Sequence, residues 1–178
     1  MTVNKALVVI DVQPIFMKDP LMLTLDGDDL VEKCTDLLER ARTQGTPVVF
    51  VQHVDKNDMP AGTTDEELAF HAALTPREDE PVIGKMFGSG FMETDLDKTL
   101  KDMGIHHLVI CGLSAYGCVN QTVLFAKLFG YKVTVVRDAI GAPDYEQWPA
   151  TAGIPLFLSN WEKGGIELEL AKDAMVKA

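Results

Sequence analysis

HLVICGLSAYGCVNQTV, residues 107–123, decides the architecture of this 178-residue chain. Leu108–Cys111 is a short apolar run that follows Gly104, a helix-ending residue, and it reads as a buried strand of a parallel sheet. Gly112 then lets the chain turn. From about Gly117 the spacing becomes that of a helix, with Val119, Val123, Phe125 and Ala126. Cys118 is thereby predicted on the first turn of a helix that starts at the carboxyl end of a central strand. Free backbone N–H groups and the positive end of the helix dipole favour a thiolate at such a place, and can lower a cysteine pKa to about 3.5–7.5. Open α/β sheets also bind their ligands at the carboxyl ends of their strands. The ordinary alternative is a small apolar residue that packs helix onto sheet, the commoner fate of a free cysteine.

Working outward, other strands end on chemically active residues. Ala6–Val12 is a near-continuous apolar strand with Asp11 near its end, followed by Gln13 and Pro14. A carboxylate there is either a turn-capping aspartate or a general base at the ligand-binding edge. No GxGxxG follows it, so the usual dinucleotide fingerprint is missing. Asp28 and Asp29 open an amphipathic helix whose apolar stripe is Leu30, Cys34, Leu37, Leu38 and Ala41, ending at Gly45. Val48–Val54 is the second buried strand, which completes a βαβ unit. His53 and Asp55 lie at its carboxyl end; two such residues do not make a metal site, and His71, in a helix-like run over 66–74, is the nearest third. His53 is read as a hydrogen-bonding wall of a cleft. Val82–Lys85 is a short strand that carries Lys85 at its end. A lone lysine is commonly solvated, but its position places it on the same edge as Asp11 and Cys118. Phe87 and Phe91 follow in a glycine-bearing loop, and Thr94 or Asp95 caps a helix that stops at Gly104. Lys132–Arg137 is the fifth strand. Trp148–Lys163 reads as a helix cut by Pro149 and Pro155, and Ile166–Leu170 as either an edge strand or a helix start.

The alternation of strands and helices gives an α/β fold with a parallel sheet. Length suits one domain over 1–178 with a single large core, and nothing resembles a linker. Apolar residues make up 47% of the chain and are interleaved with charge, a globular composition. No apolar run reaches membrane-spanning length and no signal peptide is visible at the amino terminus, so a cytoplasmic protein is expected. Three cysteines, Cys34, Cys111 and Cys118, without CxxC spacing argue against disulfides and against zinc. A net charge of −11 disfavours nucleic acid and anionic membranes as partners.

Four short motifs occur in order. Asp11-Val12-Gln13 is a D-x-Q at the end of the first strand. Lys85 is followed by Ser89-x-Phe91 and Thr94-x-Leu96. Gly112 precedes Cys118-Val119 and Thr122, and Gly130-Tyr131 precedes Asp138-Ala139. Together, over about residues 5–140, they resemble the isochorismatase-like cysteine hydrolases, which include nicotinamidase and carbamoylsarcosine amidase. The resemblance implies a three-layer α/β/α sandwich that is Rossmann-like and doubly wound. It implies Cys118 as nucleophile on a small amide-like C–N bond through a thioester, Asp11 as base and Lys85 as electrostatic support. It further implies a cis peptide at Leu113–Ser114 and an oxyanion hole from the backbone N–H groups of Ser114 and Cys118. The substrate would be a small-molecule amide with a planar or apolar body. Gln13, Phe16, His53, Phe87, Tyr116 and Trp148 would line its pocket, Trp148 equally suiting an oligomer contact. A homo-oligomer is expected. The D-x-H metal motif of nicotinamidase is reversed here as His53-x-Asp55, so no metal and no cofactor are expected. The other readings are an isochorismatase-type vinyl-ether hydrolase, whose chemistry does not need the cysteine, and a catalytically silent oligomeric scaffold.

Overall fold

The computed structural model describes residues 4–18, 24 and 26–175. Within them, β1 (Lys5–Ile10), β2 (Val48–His53), β3 (Val82–Lys85), β4 (His107–Gly112), β5 (Lys132–Ile140) and β6 (Glu167–Glu169) form one sheet in the order β3-β2-β1-β4-β5-β6. Every neighbouring pair is parallel. The chain therefore winds outward from β1 to β3, returns to lay β4 beside β1, and winds outward again to β6. The direction reverses between β1 and β4, which opens a crevice above their carboxyl ends.

Strand residues alternate between two apolar layers. Leu7, Val9, Phe50, Val109 and Cys111 pack under α2 (Gly27–Thr43), which turns Leu30, Cys34, Leu37, Leu38 and Ala41 toward them. Asp28 and Asp29 in its first turn and Arg40 and Arg42 in its last suit the helix dipole. Val8, Ile10, Val51, Ile110 and Val135 face the other layer. It is made by α4 (Leu96–Asp102), α5 (Cys118–Leu128) and α6 (Ala150–Lys163). Short helices α1 (Ile15–Lys18) and α3 (Asp65–Leu68) sit in the connections after β1 and β2. No helix among the described residues is long and apolar enough to cross a membrane. The parallel sheet is the one expected from the alternation of elements, and its two helical layers give the α/β/α arrangement that the family resemblance implied.

Local details differ from the sequence reading. Pro155 does not cut α6: it lies inside a continuous helix, and only Pro149 marks a boundary, at the N-cap. A proline costs a helix one donor and crowds the preceding turn, and here the packing of Leu158 and Trp161 onto the core carries the helix through. The run over 66–74 breaks into α3 and a short turn of 3-10 helix, Ala72–Leu74. Ile166–Leu170 resolves as the edge strand β6, parallel to β5.

Gly112 fixes where the crevice begins. Its φ is +114°, and a Cβ there would fall 2.0 Å from the Ile10 carbonyl oxygen of the adjacent strand. Leu113 N–H donates to that same oxygen at 2.8 Å, so the chain leaves β4 hard against β1. Gly112→Ala is expected to lower the thermal midpoint more than Leu37→Ala, a large-to-small core change worth about 2–5 kcal/mol. Thermal unfolding followed by circular dichroism checks this, and an unchanged midpoint in Gly112→Ala would contradict it.

Candidate active site

Asp11 directly follows β1 at the centre of the sheet. Its backbone is left-handed, φ +49°, a region aspartate tolerates better than most residues. Its N–H donates to Val51 O at 2.9 Å, which fixes the turn to the next strand. Lys85 ends β3, in register with His53 of β2. Two strand spacings, about 10 Å, separate β3 from β1, and the long side chain reaches back across β2. The Lys85 Nζ lies 2.7 Å from Asp11 Oδ2, with both side chains sealed from solvent. It also donates to Cys118 Sγ at 3.2 Å. The sequence thus placed all three groups on one edge, and the structure brings them into contact through one ammonium. The approach to Asp11 is off the direction of a well-formed hydrogen bond, so both carboxylate oxygens lack such a partner and the pair is held chiefly by charge.

The charge state corrects the expectation of a resting thiolate. Burial, and then the Asp11 carboxylate, push the Cys118 thiol up to about 12, with Lys85 only partly offsetting them. A helix end contributes about 0.3–1 kcal/mol, whereas desolvation can move a buried group by up to about 3–5 pKa units. Burial wins. For Lys85, burial opposes the ammonium, but Asp11 and Cys118 beside it raise its pKa. The resting site therefore holds a Cys118 thiol, joined to Asp11 through the Lys85 ammonium.

Cys118 is the first residue of α5, with Gly117 as N-cap. The Leu113–Ser114 peptide just before it is cis. Ser114 O accepts from Gly117 N–H at 3.1 Å and from Val119 N–H at 3.0 Å, and Ala115 N–H donates to Gly141 O at 2.8 Å. The loop is therefore tied both to α5 and to the chain after β5. Neither Ser114 N–H nor Cys118 N–H donates to a protein acceptor among the described residues. Both remain free for an oxygen placed over the sulfur.

Cys118 lines two cavities. One, of about 180 Å³, is walled by Asp11, Phe16, Thr24, Leu113, Ser114, Pro143 and Tyr145. Thr24 pairs with Pro143 in an isolated antiparallel bridge and donates its hydroxyl to Phe16 O at 2.9 Å, which ties three of those walls together. The other is a cleft of about 450 Å³ bounded by His53, Asp55, Asn57, Asp58, Met86, Phe87 and Gly88.

Of the residues named from sequence as pocket walls, Phe16 lines the first cavity and His53 and Phe87 line the second. Gln13 is not a wall: fully buried, it donates its amide to the carbonyls of His53 and Leu68 and accepts from His53 N–H, pinning the turn after β1 to β2. Tyr116 and Trp148 line neither cavity; their rings meet tilted, with centroids 6.2 Å apart, and Tyr116 also packs on Phe157 of α6. Thr24, Pro143, Tyr145 and Asp58 were missed. The first three come from segments distant in sequence and carry no pattern that would single them out, while Asp58 carried one signal, its closeness to the end of β2. His71 turns its Nδ1 to Ala73 N–H. No group of three or more His, Cys, Asp or Glu side chains among the described residues is placed to hold a metal ion.

A family model described as an isochorismatase domain matches residues 5–153. An uncharacterized isochorismatase family protein of Bacillus subtilis is 32% identical over 136 residues, covering 75% of this chain and 76% of its own length. A streptothricin hydrolase of Streptomyces noursei is 34% identical over 155 residues, covering 84% of this chain but 58% of its own. Among solved structures, a putative isochorismatase hydrolase from Oleispira antarctica superposes with a TM-score of 0.89 at 26% identity, covering 98% of this chain and 97% of the other. The match runs from β1 into α6, across each strand end that supplies Asp11, Lys85 and Cys118, and the chain belongs to the isochorismatase family of hydrolases.

Proposed function

We propose that the protein hydrolyses a small amide-like C–N bond, with Cys118 as nucleophile, Asp11 as proton carrier and Lys85 as fixed positive charge. The observation that carries the reading is the unbroken contact Asp11–Lys85–Cys118, at 2.7 and 3.2 Å, on the wall of a small cavity. Relatives that carry the names ureidoacrylate amidohydrolase and N-carbamoylsarcosine amidase support the amide class.

The thiol is the resting form, so attack and deprotonation are coupled. As Sγ bonds to the carbonyl carbon, its proton passes to Asp11, and the carbonyl electrons move onto oxygen. That oxygen is received by the Ser114 and Cys118 N–H groups, donors aimed at charge that develops only during attack. Collapse re-forms the carbonyl and breaks the C–N bond. The nitrogen takes the proton back from Asp11 and leaves as ammonia or an amine. Asp11, again a carboxylate, then draws a proton from water as the water attacks the thioester, and Sγ leaves to be reprotonated. Lys85 keeps its proton throughout and lowers the energy of each state in which sulfur or oxygen is anionic.

This assignment fixes two outcomes. Intact-mass spectrometry of enzyme quenched during turnover of an amide is expected to show an acyl adduct on Cys118, and Cys118→Ser is expected to lose the adduct and turnover together. A fully active Cys118→Ser would end the amidase reading.

The second outcome concerns the thiol. With its pKa raised, alkylation of Cys118 by iodoacetamide is expected to climb about tenfold per pH unit through the neutral and mildly alkaline range, without a neutral plateau. Asp11→Asn removes a cause of the raised value, so alkylation near neutrality should speed up while turnover is lost. Lys85→Met removes the opposing charge and should slow alkylation further. Each of these two variants strands one partner of a buried pair, at a cost of about 3–5 kcal/mol that thermal melts would register. A plateau in wild-type alkylation below neutral pH would refute the thiol assignment.

A further inference from the structure

The two cavities that meet at Cys118 differ in chemistry. The less open one carries Ser114, whose N–H would receive the carbonyl oxygen on the amidase reading, together with Asp11 and the apolar walls Phe16, Leu113 and Pro143. It suits the acyl half of an amide. The cleft on the other side has no use in hydrolysis of a primary amide, whose leaving group is ammonia. It opens to solvent at Asp58, whose side chain is 72% exposed.

Its polar groups are mostly hydrogen-bond acceptors. The His53 ring is buried, with the residue 4% exposed, and forms part of the cleft wall. Its Nε2 lies 3.2 Å from Asp55 O. A carbonyl only accepts, so Nε2 carries a hydrogen, and in the tautomer with its single hydrogen there Nδ1 is an acceptor. No described residue donates to that Nδ1. Asp55 Oδ1 accepts from the backbone N–H and from one side-chain N–H of Asn57, both at 2.9 Å. Asp58 has His53 at 4.0 Å as its ionisable neighbour. Lys56, in the same turn, pairs with Asp65 instead. No lysine or arginine among the described residues lines the cleft. Phe87 and Met86 complete it with an aromatic face and a thioether, surfaces that favour a cation carried on an alkyl stem.

We propose that this cleft is the leaving-group site and that it selects an amine bearing a second, positively charged nitrogen, so that the substrate is an N-substituted amide of a cationic amine. The inference rests on the amidase reading above and goes beyond it by dividing the substrate between the two cavities. The carbonyl lies on the Ser114 side, and the substituent on nitrogen extends past the sulfur toward His53 and Asp58. When the C–N bond breaks, the product amine is already in the compartment that opens to solvent. Its charged end donates N–H bonds to Asp58 and to the unpartnered nitrogen of His53.

Two measurements test this separately. In mildly alkaline buffer, where Cys118 is alkylated at a measurable rate, n-butylammonium should protect it from iodoacetamide and n-butanol should not. At a concentration about twice its Kd the protection is about threefold. Asp58→Asn should remove most of it. A field of −11 spread over the whole molecule would survive the loss of one exposed acid, so protection that persists in Asp58→Asn, or equal protection by butanol, overturns the cation site. The second measurement compares two amides of the same acyl group, one N-aminopropyl and one N-butyl. The wild type should favour the first by about tenfold or more in kcat/KM, and Asp58→Asn should bring the ratio toward one. Hydrolysis of both at equal rates overturns the leaving-group assignment and leaves the amidase reading standing. Failure to hydrolyse any amide, with protection intact, overturns the amidase reading and the leaving-group assignment with it.

Discussion

An ion pair sealed inside the protein organises the active site. Asp11 and Lys85 are taken from water almost completely, and such a transfer costs several kcal/mol per ion unless each charge finds the other at close range. That requirement constrains everything around it. Lys85 must end β3, β3 must lie two strands from β1, and the chain after β1 must turn at a left-handed residue to present Asp11 there. Gln13 holds the turn to β2 with its whole carboxamide. Cys118 then meets the ammonium from the third side, where Gly112 lets β4 leave the sheet against β1. The sheet order is thus the condition under which an expensive pair of charges becomes tolerable.

The same burial decides the reactivity of the sulfur. A helix start and a neighbouring ammonium both favour a thiolate, and from those alone Cys118 would be ionised at rest. Desolvation and the carboxylate outweigh them. On the amidase reading proposed above, Asp11 is then the group that receives the sulfur's proton during attack.

How far the sequence reached follows from the range of the forces involved. Strands read clearly because β1, β2 and β4 are buried on both faces and leave unbroken apolar runs. Against the first of those runs Asp11 stands out, whereas Lys85 and Cys118 each had an ordinary alternative and were singled out by the family resemblance. The walls were less legible. Thr24, Pro143 and Tyr145 meet only after the chain has folded back across the crevice, and no local period marks such a meeting. Gln13 looked like a ligand-binding amide because it is polar and adjacent to the site. Backbone carbonyls, which have no sequence signature, had already claimed it. Tyr116, two residues before Cys118, packs instead on Trp148 and Phe157. Pro155 shows the limit of a local rule, since α6 keeps its course on the strength of core contacts made further along.

The floor of the crevice and its walls are built from different parts of the chain. Asp11 follows β1, Lys85 ends β3 and Cys118 opens α5, and their neighbours are backbone hydrogen bonds and apolar core. The surfaces that a visiting molecule would touch belong to connections: around Phe16 and Thr24, from Asp55 to Asp58, Met86 to Gly88, and Pro143 to Tyr145. Connections tolerate replacement far better than strands do. The reacting groups and the means of choosing what reaches them can therefore diverge independently. One scaffold could be re-aimed at new molecules by rewriting a few short surface segments, while the buried charges beneath keep their places.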